Sequence, residues 1–320
     1  MKVWVIDRKE ELPKMSEDNF FHSSSLFRLA AATPRQKPYM AVAEDNDGNI
    51  VAHLLAIVRY RVSWFPPYYY KHCRILGEGE YGSVSQSTLF GQMLEAIRQR
   101  IGSSVLYIEV SNLSHKMFGY REFRQQHFFP IHWMSIHNSL HSRTPEERIG
   151  QRMKRHISQA CQRGVVTKEV ETNEEMKSFS RLLRHHHWLK PKRYIPADDF
   201  FKGVQEGHFG RLYITTYHNH VIGCAAVAYS GRNAYLWYAA FRRKSYAFVH
   251  PDVLTIWHTL KDAHSRGYDH LFFLDVGLPF SRNPYREFIL RFGGKPTSTL
   301  RWFRINIGWV NRLMSWIYRE

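Results

Sequence analysis

Residues 152–165 read Arg-Met-Lys-Arg-His-Ile-Ser-Gln-Ala-Cys-Gln-Arg-Gly-Val, almost at the middle of a 320-residue chain. Met153, Ile157, Ala160 and Cys161 fall at helical spacing, one narrow apolar stripe on a basic rod. Gly164 supplies the stop, because glycine takes the left-handed cap conformation without a steric cost. Arg152, Lys154, Arg155, His156 and Arg163 occupy the other faces, Arg163 in the last turn, where a cation suits the helix dipole. Two readings stand side by side: a solvated basic helix, or an anion-facing helix at a domain junction.

The half of the chain beyond this helix repeats the order of the half before it. In the first half, Val3–Ile6 reads as a strand and Ser25–Ala32 as a helix. Tyr39–Ala43 and Ile50–Arg59 read as strands around the turn Asp45-Asn46-Asp47-Gly48. The aromatic stretch Trp64–Tyr70, with two prolines, reads as a loop. Thr88–Arg100 is helical by period, Val105–Val110 a buried strand, Tyr120–Gln126 a short helix and Pro130–Leu140 a strand. In the second half, Arg211–Tyr217 and Val221–Ala228 flank His218-Asn219-His220. Tyr235–Phe241 is an added strand, Asp252–Ala263 a helix and Leu271–Val276 a buried strand. Ile50 lies over Val221 at an offset of 171 residues, and Glu109 over Asp275 at 166. The tetrapeptide Tyr-Arg-Glu-Phe occurs at 120–123 and again at 285–288, an offset of 165. Three segments in one order at a nearly constant offset argue for an internal duplication. Each copy is a mixed sheet with helices packed on it, an α/β layer architecture.

Forty-five lysines and arginines against 28 aspartates and glutamates give a formal charge of +17, with 19 histidines in addition. That charge calls for an acidic partner: nucleic acid, a phosphorylated small molecule or an anionic membrane surface. With 44% hydrophobic and 15% aromatic residues the chain can build a dense core, which excludes disorder. Cys73, Cys161 and Cys224 have no metal-like spacing, and an odd number of thiols fits a reduced, cytosolic setting. The run Met1–Glu10 is too short in apolar residues for a signal peptide. Ile307–Glu320 places Ile307, Val310, Leu313, Met314 and Ile317 on one helical face beside Trp309, Trp316, Arg312 and Arg319. Such a helix docks on the protein's own surface or lies in a membrane interface.

The junction helix, with the strand Thr167–Val170 and helix Glu174–Arg184 after it, resembles the FemAB-like, FemX-like branch of the GNAT acyltransferase superfamily. The matching positions are Arg155, displaced by one residue, then Ile157, Ala160, Gly164 and Val165. They are followed in order by Pro196, Phe200-Phe201, Gly210-Arg211-Leu212, the strand Tyr235–Phe241, Leu274–Gly277, Asn283, Phe288, Phe292 and Gly293. The match covers about 145–305 well and 20–140 weakly. It implies two tandem GNAT-like domains: 1–145 as a degenerate copy suited to acceptor binding, 146–306 as the donor and catalytic domain, and 307–320 as an amphipathic C-terminal helix. It further implies transfer of an acyl or aminoacyl group to an amine of a cell-envelope or surface-glycan precursor. The donor would be acyl-CoA, with aminoacyl-tRNA second; both are polyanions, in keeping with the charge. No metal is expected. Two departures bear on the donor. The lysine that FemX-type enzymes carry after the phenylalanine of their F-K-x-x-F/W-G segment is Ile289 here. The pyrophosphate loop of GNAT enzymes is glycine-rich, so that backbone N–H groups reach phosphate at a helix N-terminus, whereas the turn Arg242–Pro251 has no glycine.

Acyl transfer to an amine needs a deprotonated amine, a carbonyl held in an oxyanion site and a proton for the leaving group. Tyr238 is the general-acid candidate, or else a core aromatic with a satisfied hydroxyl. Asp275 ends a buried strand where α/β ligands gather, as base or amine-orienting group, or as a structural carboxylate. Arg242, Arg243 and Lys244 could hold donor phosphate with side chains, or form a solvated turn; Arg155 would add a contact from the junction helix. Asn283 and Arg286 could orient acceptor or donor, although Arg121 repeats Arg286 in the first copy and favours structure for both. Glu78 and Glu80 could orient an acceptor, or belong to a plain glycine-rich turn. His185, His186 and His187 point about 100° apart on a helix, so a zinc site is disfavoured against a pH-sensitive patch with Lys190, Lys192 and Arg193. Two rivals remain from other classes: a nucleic-acid-binding protein with an aromatic stacking platform, and a membrane-peripheral scaffold that has lost its chemistry.

Overall fold

The computed structural model describes residues 1–63, 68–82, 86–187, 194–274, 276–280 and 282–319. Asp275, Lys190, Lys192 and Arg193, singled out above, lie outside the described residues. The chain forms two compact units. The first is Met1–Trp133 with Ser298–Glu320, the second Met134–Thr297. These limits differ from the sequence boundaries at 145/146 and 306/307, because the last strand and helix belong to the first unit.

The first unit holds β1 (Lys2–Ile6), α1 (Ser24–Ala32), β2 (Gln36–Glu44), β3 (Ile50–Ser63), β4 (Tyr68–Leu76), β5 (Glu80–Tyr81), α2 (Gln86–Ile101), β6 (Tyr107–Ser111) and α3 (Tyr120–Gln125). β7 (Phe129–Ser139) begins in it and ends in the second unit. The second unit continues with α4 (Pro145–Arg148), α5 (Gln151–Gln162), β8 (Val166–Glu169), α6 (Asn173–His187), α7 (Asp198–Glu206), β9 (Gly210–Tyr217), β10 (His220–Ser230), β11 (Asn233–Phe241), α8 (Pro251–Ser265), β12 (His270–Phe273) and α9 (Pro284–Leu290). β13 (Lys295–Ile305) returns to the first unit, where α10 (Gly308–Ile317) closes the chain.

In the first unit the strand order is β1-β2-β3-β4-β6-β13, with β5 on β3. In the second it is β7-β12-β11-β10-β9-β8. Each has one parallel pair, β4 with β6 and β11 with β12. β4 corrects the sequence reading, which ran a loop through Tyr70 and gave an added strand to the second copy alone. Beyond the prolines, Cys73 and Ile75 alternate onto the core side and Tyr70, His72 and Arg74 onto the other, the period of a strand. The duplication is therefore more complete than its sequence trace. Both copies of Tyr-Arg-Glu-Phe start short helices that bury their phenylalanines, Phe123 and Phe288.

The first core gathers Ala41, Leu54, Cys73, Phe90, Ile97, Val110 and Phe123 beneath α2, with Leu300 and Trp302 from the end of the chain. The second gathers Ile136, Met153, Leu236, Ile256, Leu271, Ile289 and Phe292 about α8. Met153 and Ala160 are the buried residues of α5, and its basic residues face outward. Hence the mid-chain stretch is an amphipathic helix docked by its narrow stripe. α10 keeps only Asn311 buried; the amide accepts from Ile305 N at 2.8 Å and donates to His127 O at 2.9 Å. Trp309 and Trp316 stay 70% and 64% exposed, and Leu313 and Ile317 are exposed as well. None of the helices described is long and apolar enough to cross a membrane.

Candidate active site

The site is built where β11 leaves β12. β11 pairs with β10 through Ala226 opposite Tyr238 and then Val227 opposite Leu236, so Trp237 is an extra residue in the ladder. Such a bulge bends its strand and re-aims its side chains. Here Trp237 and Tyr238 both meet α7, Trp237 edge-on to Phe200 at 5.5 Å and Tyr238 edge-on to Phe201 at 5.4 Å. The parallel pairing of β11 with β12 runs from Asn233/His270 to Leu236/Phe273. β11 then continues to Phe241 on β10, and among the described residues β12 takes up none of that further length. Parallel strands that separate next to a bulge leave a cleft at their carboxyl ends, where α/β folds place ligands.

Tyr238 borders this opening. It is 3% exposed, and its hydroxyl donates to the Tyr194 carbonyl at 3.3 Å, a long bond. After β11 the chain turns through Arg242–His250. Arg242, Arg243 and Lys244 are all exposed. The turn is held by backbone: Arg242 N–H donates to Ile222 O at 2.8 Å and Tyr246 N–H to Arg242 O at 3.1 Å. His250 takes a left-handed conformation (φ 48°, ψ 55°), and Pro251 opens α8 as its first residue. Asp252, 5% exposed, places its carboxylate in the first turn, accepting Val253 N–H at 3.0 Å and lying 3.3 Å from Arg243 Nε. The positive end of the helix thus already faces a carboxylate. Of the three cations expected there, Arg243 is engaged with the protein itself.

α5 lies beside this turn through other residues than the one expected. His156 stacks on His250 at 4.2 Å, and Arg163 donates to the Phe248 carbonyl. Burial first, then His156, holds His250 below the usual histidine range. Arg155 is exposed. Asn283 caps α9: its Oδ1 accepts from Tyr285 N (3.0 Å) and Arg286 N (3.3 Å), and its Nδ2 donates to Val276 O at 2.8 Å. Arg286 donates to the Leu278 carbonyl at 2.6 Å. Both residues fold the segment after β12 onto itself. Gly277, at φ 92°, is required there, since a Cβ would come within 2.5 Å of Asn283 Nδ2. Ile289, in place of the family lysine, is fully buried in the second core. A lysine at that position would have to be desolvated.

The remaining candidates are spread elsewhere. His185 is exposed, His186 half-buried and His187 buried. Glu78 accepts Ser114 N and Oγ at 2.7 and 2.6 Å, and Glu80 accepts Asn19 N at 3.0 Å beside His53. Both acids tie down the turn after β4. Arg121 is exposed and lines a 550 Å³ cavity with Arg98 and Glu122. The bulge at Trp237, the His156–His250 stack and the Arg243–Asp252 pair were missed from sequence. The last had a signal, since His250-Pro251-Asp252 has proline and an acid where a helix begins.

Residues 147–285 match the model of the acetyltransferase (GNAT) domain family, Acetyltransf_6. None of the curated proteins matches the chain. Among solved structures the chain is similar to FemX, with a TM-score of 0.61 at 11% identity over 96% of either chain. It is also similar to the C-terminal domain of a putative lysylphosphatidylglycerol synthetase from Agrobacterium fabrum (TM-score 0.56, 11% identity, 93% of this chain and 91% of that one). A tandem GNAT protein from the clavulanic acid biosynthesis pathway gives a TM-score of 0.56 at 10% identity, over 95% of this chain and 99% of that one. The matched domain and the paired units define a GNAT-fold acyltransferase. The chain shares the fold of FemX nearly end to end.

Proposed function

We propose that the second unit moves an acyl group, aminoacyl included, from a thioester or ester donor to an amine of an envelope or surface-glycan precursor. The opening between β11 and β12 is the observation that carries this reading. The edge of β11 from Trp237 to Phe241 can align an extended donor chain through its backbone groups, and an N–H there can polarise the carbonyl. The amine attacks that carbonyl directly. A C–N bond forms, the C–S or C–O bond of the donor breaks, and the proton lost by the amine balances the one the leaving group takes up. Tyr238 would supply the latter after turning from the Tyr194 carbonyl. Arg242 and Lys244 would meet donor phosphates with side chains, because Asp252 fills the start of α8. Asp275 stays the proposed amine-orienting group on sequence grounds, and the first unit the proposed acceptor domain. α10 is proposed to rest on a lipid surface: Trp309 and Trp316 are exposed with Arg312 on a short helix and Arg319 lies just past it, a composition suited to headgroups.

The test is calorimetric titration of the full chain with acetyl-CoA, with 3′,5′-ADP as the fragment control. Micromolar binding that weakens in Arg242→Ala/Lys244→Ala establishes a CoA thioester donor. No heat at millimolar ligand removes CoA and leaves an aminoacyl ester, to be tested with charged tRNA against its deacylated form.

A further inference from the structure

We propose that the open groove beside β1, the outer strand of the first unit's sheet, binds a pyranose sugar on the indole of Trp4. Binding there needs first-unit residues alone and does not rest on the transfer reading above. The groove arises from strand alternation. Val3 and Val5 pack against the core beneath α2, which sends Lys2, Trp4 and Ile6 to the other face. Glu44, Val42 and Met40 stand opposite those three on β2. A bulge follows, since Ala43 pairs with Ala52 but Glu44 with Ile50. Val51 is the extra residue; it packs with Ala52 on the core, and Ile50 comes round to the groove that Trp4 lines.

That face is covered at one end and open at the other. Ile6, Met40 and Val42 are buried, where α1 packs on β2. Trp4 and Glu44, nearer the strand ends, are half-buried. With Ile50, Asn49 and the segment 13–16 they line a groove of about 660 Å³, within the size range of small-ligand sites. Its polar groups are uncommitted. Among the described residues the Trp4 ring packs on no other aromatic ring, and its indole N–H has no partner. Lys2, opposite Glu44, reaches over the Trp4 ring at 5.4 Å instead of pairing with the carboxylate. Neither Glu44 nor Lys14, exposed on the segment 13–16, enters an ion pair among the described residues. The rim is set in advance: Asp45 accepts the Asp47 and Asn49 N–H groups at 2.9 Å each, and Gly48 turns at φ 84°.

A half-open indole beside a free carboxylate, an ammonium and an amide matches the two sides of a sugar. The pyranose ring has a C–H face, which buries apolar area against the indole. Its hydroxyls at the ring edge can donate to a carboxylate and accept from an ammonium. A purely apolar ligand would desolvate Glu44 and Lys14 without partners, and a phosphate would meet the Glu44 charge. In the transfer reading this groove would hold a sugar of the acceptor; that use alone rests on that reading.

Trisaccharides of glucose, mannose and N-acetylglucosamine, titrated into the full chain and followed by NMR of labelled indole N–H groups, are the probes. At least one should bind at millimolar concentration or below and shift the Trp4 signal, which is assigned by its loss in Trp4→Phe. Affinity should fall about 10-fold or more in Glu44→Ala, the range for hydrogen bonds to one charged group. Trp4→Phe, which keeps a ring, should bind more tightly than Trp4→Ala. Glu44→Ala removes a carboxylate that bonds nothing in the protein, so it keeps the test valid if Trp4→Ala fails to fold. Acetyl-CoA binding should be the same in wild type and Glu44→Ala, so that failure of the sugar site and failure of the donor reading are told apart. No shift with any of the three sugars at millimolar concentration, shifts that leave Trp4 unmoved, or equal affinity in wild type and Glu44→Ala would overturn the proposal.

Discussion

The two units carry the same elements in the same order, yet one parallel pair is shut and the other open. In the first, His72–Leu76 pair with Tyr107–Ser111 to the very end of β4, and Gly77 N–H extends the ladder to Ser111 O at 2.7 Å. In the second, pairing among the described residues runs to Leu236 and Phe273, while β11 runs on to Phe241. A single inserted residue, Trp237, separates the two outcomes. In the first unit the turn Gly77–Glu80 follows β4 and is bonded to Ser114, Asn19 and His22. The two sheets thus differ at the bulge, and under the proposed reading the second is the one that reacts.

The largest expected effect tests whether the end of the chain belongs to the closed unit. Trp302 is fully buried there and stacks on Phe123 at 4.6 Å. Trp302→Ala should destabilise the first unit by about 3–5 kcal/mol, read by chemical denaturation, with hydrogen exchange in α8 unaffected. A loss below about 1 kcal/mol would mean that this strand is dispensable to the first core. Next in size, Tyr238→Phe keeps the ring against Phe201 and removes only the hydroxyl. If that hydroxyl protonates the leaving group, kcat should fall by roughly 100-fold or more, with KM nearly unchanged. An unaltered kcat would return Tyr238 to the role of a core aromatic and put the open strand edge alone in charge of the chemistry.

Acid should separate the units as well. His22 is fully buried in the first, its ring between the amides of Leu55 (3.0 Å from Nδ1) and Gly79 (3.1 Å from Nε2). Burial first, then His53, holds it at about 3, against an ordinary value near 6.5. The folded state therefore keeps His22 neutral while the unfolded chain protonates near 6.5. The stabilisation is complete above about pH 6.5 and falls as pH drops from there toward 3. The slope is up to about 1.4 kcal/mol per pH unit, so about 2 kcal/mol is gone by pH 5. Urea unfolding at pH 7 and pH 5 should show a loss about 2 kcal/mol smaller in His22→Gln than in wild type, the remainder coming from His53 and His72, whose pKa burial also lowers. Equal losses in both would place the acid sensitivity elsewhere.

Much of the frame was legible from patterns that physics makes local. The duplication showed in Tyr-Arg-Glu-Phe because each copy must start a helix and bury its phenylalanine, Phe123 or Phe288. α5 showed because Met153 and Ala160 had to lie on one stripe. β4 was hidden by the prolines ahead of it. The bulge was hidden because Tyr235–Phe241 reads as an unbroken strand, and the extra residue is defined only against β10. Asn283, followed by proline, carries the signature of a helix cap and could have been read as one. The cations of the first sheet were visible in Arg59-Tyr60-Arg61 and His72-Cys73-Arg74, whose alternation sends every charged side chain to one face.

The smallest expected effect bears on the donor. If polyanion phosphates come to the start of α8, the Asp252 carboxylate opposes them and also draws off Arg243. Asp252→Asn keeps an oxygen for Val253 N–H, removes the charge and releases the guanidinium. Acetyl-CoA affinity should then rise about 10-fold, the value of roughly one unscreened charge contact, and 3′,5′-ADP affinity with it. The Arg243→Ala variant should change little in the wild-type background, since an exposed cation paired with a neighbour contributes at most about 1 kcal/mol. It should cancel the gain when combined with Asp252→Asn. Unchanged affinity in Asp252→Asn would show that donor phosphates do not approach this turn. The carboxylate would then be an ordinary helix-start acid, and the open edge of β11 would have to hold a donor whose charge is met elsewhere.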